Sequence, residues 1–301
     1  MNQRDPEYDR FGPWVVEIGD EDPAPPLFVP HLTRTEAPLL SLKIPRKISR
    51  RDAHPGMDLY DYLVSLNEED LDVLERVERE VSAHTIRYLD IKYLSLREEL
   101  LRGNVHLGFT GGHYDLPFNP VSGDIMRRLV DIVRGRYLPE SKPLAIEIEP
   151  ASAAELSFYF ERLLRDEQAD GSGMRPIATQ ANMGMGALEE STLRRLLFGI
   201  VAKRLLESLH LSDGRELRVI DRGQSFAYRW QTVYGRVETW MPLADITGSD
   251  WDWGPDEGAT SPVTLTIRTA AGDLEWVFTP NNSALGGYRR FLTEVSQVTR
   301  H

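Results

Sequence analysis

The residues able to do chemistry gather in a few places, and the densest gathering is cationic. Lys43, Arg46, Lys47, Arg50 and Arg51 put five positive charges into nine residues with no acid among them. Leu40, Leu42, Ile44 and Ile48 share one parity, and Lys43, Lys47 and Arg51 the other. That alternation predicts a strand over 40–51 with cations at intervals of roughly 13 Å on one face. Such a row suits an anionic ligand bearing several phosphates, or an anionic membrane patch. The competing expectation is a guarded sheet edge, since lysine and proline (here Pro45) discourage strand-to-strand association. On that reading Asp58 to Glu80, with nine acids against two arginines, neutralises the row internally.

A second group is His106, His113 and Asp115. Folding the chain about Gly111-Gly112 sets His113 opposite Thr110, Asp115 opposite Gly108 and His106 opposite Pro117. The three are then staggered, metal-ligand spacing is absent, and no metal is expected. Asp250-Trp251-Asp252-Trp253-Gly254 fails the order of a calcium loop, because Gly254 stands where a third ligand belongs. Trp251 and Trp253 are read as a partner-binding turn, since aromatic residues anchor interfaces. Trp230, Tyr234 and Trp240 are expected to sit on strands and fill the core.

No nucleophile comes with a base. Cysteine is absent, Gly-x-Ser-x-Gly is missing, and Gly171-Ser172-Gly173 lacks the lysine and strand-to-helix setting of a phosphate loop. No catalytic residue and no cofactor are expected. A hydrolase would need a cleft joining His54, His84 and nearby carboxylates.

The composition sets the wider frame. The chain has 301 residues, 41% apolar and 27% charged, enough for two domains with real cores. Its 35 basic and 47 acidic side chains give −12, a field that opposes nucleic acid and anionic membrane unless basic residues are concentrated locally. The first ten residues hold no apolar run of the secretory type, and a cytoplasmic location is expected.

The elements that must position these groups follow from periodicity. Residues 1–38 read as an extended lead-in broken by Pro23, Pro25, Pro26 and Pro30, with Trp14 to Ile18 as a candidate strand. Residues 57–83 read as an acidic helical insertion, with Leu59, Tyr60, Leu63 and Val64 in one stripe and Leu71, Leu74 and Val77 in another. Val105, Leu107 and Phe109, then Tyr114, Leu116 and Phe118, alternate as a hairpin, pairing Phe109 with Tyr114 and Val105 with Phe118. A helix carrying Ile125, Leu129, Ile132 and Val133 follows Asn119-Pro120. The pattern returns with Val263, Leu265 and Ile267 against Leu274, Trp276 and Phe278, then Thr279-Pro280 and a helix with Leu285, Tyr288, Leu292 and Val295. Leu89-Asp90-Ile91 and Leu243-Ala244-Asp245-Ile246 sit on the preceding strands. An internal duplication is expected. Between the copies, residues 141–212 read as a helical connector. One helix runs through Leu156, Phe160, Leu163 and Leu164, another through Leu193 to Leu205, with a mobile loop at 169–187.

Antiparallel strands closed by one C-terminal helix resemble the bacterial pleckstrin-homology-like domain, over Leu40 to Tyr137 and Glu216 to Val298. Lys43 to Arg51, with Pro55-Gly56-Met57-Asp58-Leu59-Tyr60-Asp61, is similar to uncharacterised bacterial proteins of that sort. The resemblance implies an α+β chain of two partly open β-barrels, at 39–140 and 213–301, each closed by its helix and joined by the connector. It brings no established activity. The leading expectation is a non-enzymatic binding or scaffold protein acting on a protein partner or as a homo-oligomer. Recognition of an anionic ligand or membrane surface by Lys43, Arg46, Lys47, Arg50 and Arg51 is the alternative, and an unrecognised hydrolase the second.

Overall fold

The computed structural model describes residues 6–138, 143–144, 146–152, 156–184, 203–253 and 261–299. The chain is α+β, mostly open antiparallel sheets with a few helices, and divides into two compact units, Met1–Pro139 and Glu140–His301.

In the first unit a short helix α1 (Pro6–Arg10) precedes a meander of β1 (Val16–Glu17), β2 (Leu40–Pro45), β3 (Tyr60–Leu66), β4 (Asp70–Val77) and β5 (Glu80–Arg87), paired in that order. A 3₁₀ turn, Tyr88–Asp90, leads to a second meander, β6 (Ile91–Glu98), β7 (Gly103–Phe109) and β8 (Gly112–Phe118). Asn119 caps a 3₁₀ turn by accepting from the Val121 amide, and α2 (Gly123–Tyr137) follows. This helix buries Met126, Leu129, Val130, Val133 and Tyr137 against β3, β6 and β7. Ile125 and Ile132, expected to face the core, lie at the margin of that buried stripe.

The segment expected to be an acidic helical insertion is β3, β4 and β5 instead. Leu63, Val64, Ser65 and Leu66 form an unbroken buried run, because β3 is covered on both faces. Continuous burial removes the alternation that separates strand from helix, so the apolar spacing alone misleads. The break at Asn67 is a hairpin turn, with the Asn67 amide on the Asp70 carbonyl at 2.9 Å. The acids pair locally: Asp61 with Arg76, and Asp70 and Asp72 with Arg34 at 2.7 and 2.6 Å.

The lead-in is not merely extended. Phe11 and Phe28 enter a core cluster with Ala53, Leu59, Tyr60, Leu63 and Leu74, and the Val15 amide donates to Ser122 Oγ at 2.8 Å. The expected strand at 14–18 shrinks to β1, which pairs with Leu42 and Lys43.

The second unit begins, among its described residues, with α3 (Phe158–Ala169). It continues through β9 (Arg175–Gln180), β10 (Met183–Gly184), β11 (Lys203–Leu205), β12 (Ser208–Ser212), β13 (Glu216–Asp221), β14 (Phe226–Tyr228) and β15 (Arg236–Pro242). Strands β9, β12, β13 and β15 form an antiparallel meander, while β10, β11 and β14 form a small separate sheet. A 3₁₀ turn, Leu243–Asp245, opens β16 (Gly248–Asp252), β17 (Val263–Thr269) and β18 (Gly272–Phe278), and α4 (Leu285–Val298) ends the unit. The 141–212 stretch is thus only partly helical. Gly171 and Gly173, at φ 67 and 75, turn the chain from α3 into β9 rather than leaving a loop. The helix expected from Leu193 to Leu205 lies outside the described residues up to position 202, and its end, Lys203–Leu205, is strand β11 instead. Arg218, on β13, ties α3 to the sheet through Glu167 and Glu238, both at 2.5 Å.

The second hairpin pairs as the alternation implies, Ile267 with Leu274, Leu265 with Trp276 and Val263 with Phe278. In the first the turn is Thr110-Gly111, with Gly111 alone at φ 96. Every partner moves by two residues: Leu107 faces Tyr114, Val105 faces Leu116 and Gly103 faces Phe118. A shift of two preserves the buried face, which is why alternation cannot detect it. With this register the two hairpins coincide pair for pair, Gly103 with Phe118 answering Val263 with Phe278. Leu89-Asp90 and Leu243-Ala244-Asp245 belong to 3₁₀ turns entering β6 and preceding β16, not to strands.

Phe28→Ala is expected to cost about 3–5 kcal/mol in urea unfolding, the range for emptying a buried aromatic site. A loss below about 1 kcal/mol would show that the lead-in is not part of the first core.

Candidate functional site

The five-cation stretch does not form one row. Strand β2 ends at Pro45, so only Lys43 lies on it. Lys43 is buried (3% exposed): its Nζ donates to the Pro23 carbonyl at 3.1 Å, lies 3.7 Å from Asp22 and sits 5.0 Å from the centroid of the Tyr60 ring. The lead-in covers the face that alternation assigns to solvent. Arg50 donates to the carbonyls of Phe11 and Asp9 and stacks over Tyr8, clamping the same lead-in. Arg46 donates to the Asp58 carbonyl at 3.0 Å and faces Asp61 at 3.6 Å. Lys47 and Arg51 are exposed, and their side chains make no ion pair among the described residues.

Two of the five, Arg46 and Lys47, line a cleft of about 670 Å³ in the first unit. One wall is the chain leaving β2, Pro45 to Ser49; the other is the β6–β7 turn with Arg97, Glu99, Leu101 and Arg102. Pro117, Phe118 and Asn119 complete it from the end of β8. The floor depends on a glycine. A Cβ on Gly103 would lie 2.2 Å from the Phe118 ring, so only glycine lets that ring lie across β7. Arg97 is held by Glu99 at 2.6 Å, whereas Arg102, which lines the same cleft as Lys47, is exposed and has no ion partner among the described residues. An apolar floor with free cations at the rim can hold an anion without first having to break a strong internal pair. Arg97, Arg102 and Phe118 were invisible as site residues in the sequence, because nothing local brings the β6–β7 turn to the end of β2.

The corrected register changes the histidine group. His106 now faces Asp115, and His113 faces Gly108. His106 Nδ1 is 2.9 Å from Asp115 Oδ1, its Nε2 is 2.9 Å from the Tyr93 hydroxyl, and its ring stacks on His113 at 5.1 Å. The staggered arrangement expected from the sequence is therefore wrong. Partial burial would push the Asp115 carboxyl up, but hydrogen bonds from His106 and Asn104 outweigh it and hold it below the usual range. Both His106 nitrogens are engaged and His113 Nε2 stays 3.8 Å from Asp115; no metal-holding group occurs among the described residues. His54 contacts the Pro55 carbonyl, and His84 contacts Ser82 and packs on Tyr114; neither lines the cleft.

In the second unit, Ser208 Oγ and the Tyr288 hydroxyl meet the two nitrogens of His210 at 3.1 and 3.0 Å. A serine beside a histidine invites a nucleophile–base reading. However, His210 and Tyr288 are wholly buried, and burial drives the imidazole pKa down from 6.5 to about 3. The neutral ring offers one donor and one acceptor, both satisfied, so the network fastens α4 to β12.

Trp251 is half-buried and packs its ring on Phe278 and Tyr288, which makes it core. Trp253 is 38% exposed, and Gly254 lies outside the described residues. Trp240 is buried as expected, but Trp230 and Tyr234 are 75% and 63% exposed, contrary to the core reading. Tyr228 stacks on Trp230 at 5.6 Å beside exposed Phe226, giving the small β10–β11–β14 sheet an aromatic surface.

No family model matches the chain, and no curated protein is significantly similar to it.

Lys43→Glu would set a carboxylate against Asp22 and the Pro23 carbonyl in a buried site. It is expected to cost 3 kcal/mol or more, as buried pairs do when broken, roughly. Lys47→Glu is expected to change urea stability by less than about 0.5 kcal/mol. Equal effects would contradict the burial of Lys43. Because the folded pKa of His210 is depressed, its stabilising share is whole above 6.5 and is lost as pH falls toward 3. Unfolding free energy is expected to drop by about 2 kcal/mol from this group between pH ~6.5 and ~5. His210→Gln, followed by urea titration at both pH values, should remove that component of the drop.

Proposed function

We propose that the chain is a non-enzymatic cytoplasmic binding protein built from two pleckstrin-homology-like units, and that its first unit takes an anionic, phosphate-bearing ligand in the Phe118 cleft. The observation that carries this reading is the cleft itself: Lys47 and Arg102 both line it, together with apolar Leu101 and Phe118, and neither has a carboxylate partner among the described residues. The repeated order supports the architecture. Each unit has a four-strand meander (β2 to β5, or β9, β12, β13 and β15), a 3₁₀ turn, three further strands and a helix. The matching hairpin registers support descent of both units from one duplicated domain. Among the described residues no helix is long and apolar enough to cross a membrane.

A protein partner is the second reading, and the exposed Tyr228, Trp230 and Tyr234 surface of the second unit favours it. Stacked aromatic rings left in water are the side chains that anchor interfaces.

Titration with a soluble polyphosphate, followed by tryptophan fluorescence or calorimetry, tests the cleft. Saturable binding is expected, weakened about tenfold or more between low and moderate salt. Lys47→Glu/Arg102→Glu should abolish it without moving the thermal midpoint. Binding that ignores salt, or survives that pair of changes, would refute the assignment.

A further inference from the structure

The turn that supplies Arg102 has a composition that folding does not require. The Glu99 amide donates to the Arg102 carbonyl at 2.8 Å, which closes a tight turn with Leu100 and Leu101 at its two central positions. Those positions ordinarily carry glycine, asparagine, aspartate or proline, each for a backbone reason. Here neither residue has positive φ, and the leucines stand 71% and 82% out of the fold. Leu101 also borders the cleft that Arg102 and Lys47 line. Val121, two residues beyond the cleft residue Asn119, is 81% exposed as well.

We propose that this turn is a membrane anchor: Leu100 and Leu101 enter the acyl boundary of an anionic bilayer while Lys47 and Arg102 engage its phosphate head groups. The proposal rests on the cleft reading and names the source of the anion. Charge and chemistry select the occupant. Protein hot spots favour tryptophan, tyrosine and arginine and are poor in leucine, whereas hydrocarbon accepts a bare leucine pair. The chain as a whole carries −12, so an anionic surface repels most orientations and favours the face where Lys47 and Arg102, without ion partners among the described residues, line the same cleft as Leu101. Neither contribution suffices alone, since two leucines or two cations give only weak and reversible adhesion.

The absence of cysteine makes the test clean. Leu101→Cys, labelled with a polarity-sensitive dye, is mixed with vesicles of phosphatidylcholine alone, or of phosphatidylcholine with about a third phosphatidylserine. Co-sedimentation of the unlabelled protein and its binding of soluble polyphosphate are measured alongside. The expected result is a blue shift and brightening of the dye with anionic vesicles only. Leu100→Ser/Leu101→Ser should lose vesicle affinity about tenfold or more while keeping polyphosphate binding. Lys47→Glu/Arg102→Glu should lose both. If the serine variant sediments with anionic vesicles as well as the parent does, or the dye stays in water when vesicles bind, insertion is refuted and the cleft reading stands. Polyphosphate binding without vesicle binding also overturns the anchor alone. Failure to bind either probe overturns both.

Discussion

The pairing of Gly103 with Phe118 is the constraint on which the first unit's surface depends. It fixes the register of the β7–β8 hairpin and lays the Phe118 ring across a position that admits no Cβ. From that register follow the opposition of His106 and Asp115, the apolar floor of the cleft, and the placement of the β6–β7 turn at its wall. Two residues of slip would leave the buried face apolar and still destroy all three. Specificity here lives in the turn chemistry of Thr110-Gly111, where one left-handed glycine suffices, more than in hydrophobic pattern.

Burial sorts the cations into two roles. Lys43 and Arg50 satisfy backbone carbonyls of the lead-in, and Lys43 is sunk between Asp22 and Tyr60. They hold residues that the sequence presents as a loose tail, and that tail in turn contributes Phe28 to the core. Lys47 and Arg102, left in solvent, keep the freedom to meet an outside charge. The second unit applies the same logic in its interior. Arg218 bridges two carboxylates, and His210 stays neutral between two hydroxyls, so this buried charge and this buried ring find their partners within the protein.

Much of the architecture was legible in one dimension. Alternation located both β-hairpins and gave the second its true register, and the helices following Pro120 and Pro280 stand where apolar spacing put them. The acidic stretch looks helical in sequence because β3 is covered on both faces, so its apolar residues recur without period two. Size and apolarity favour burial of Trp230 and Tyr234 on average, but their place beyond the short edge strand β14 leaves them in water.

By itself, then, the sequence determined which segments alternate, where turns and helix entries fall, the net charge of −12, and the lack of thiol chemistry. Those are local or additive properties, readable from neighbours along the chain. Only the tertiary structure decided that Lys43 is interior, that Lys47 and Arg102 line one cleft, and that Leu100 and Leu101 stand out from the fold. Each of those depends on contacts between residues far apart in sequence, whose geometry is set by register and by what covers each face.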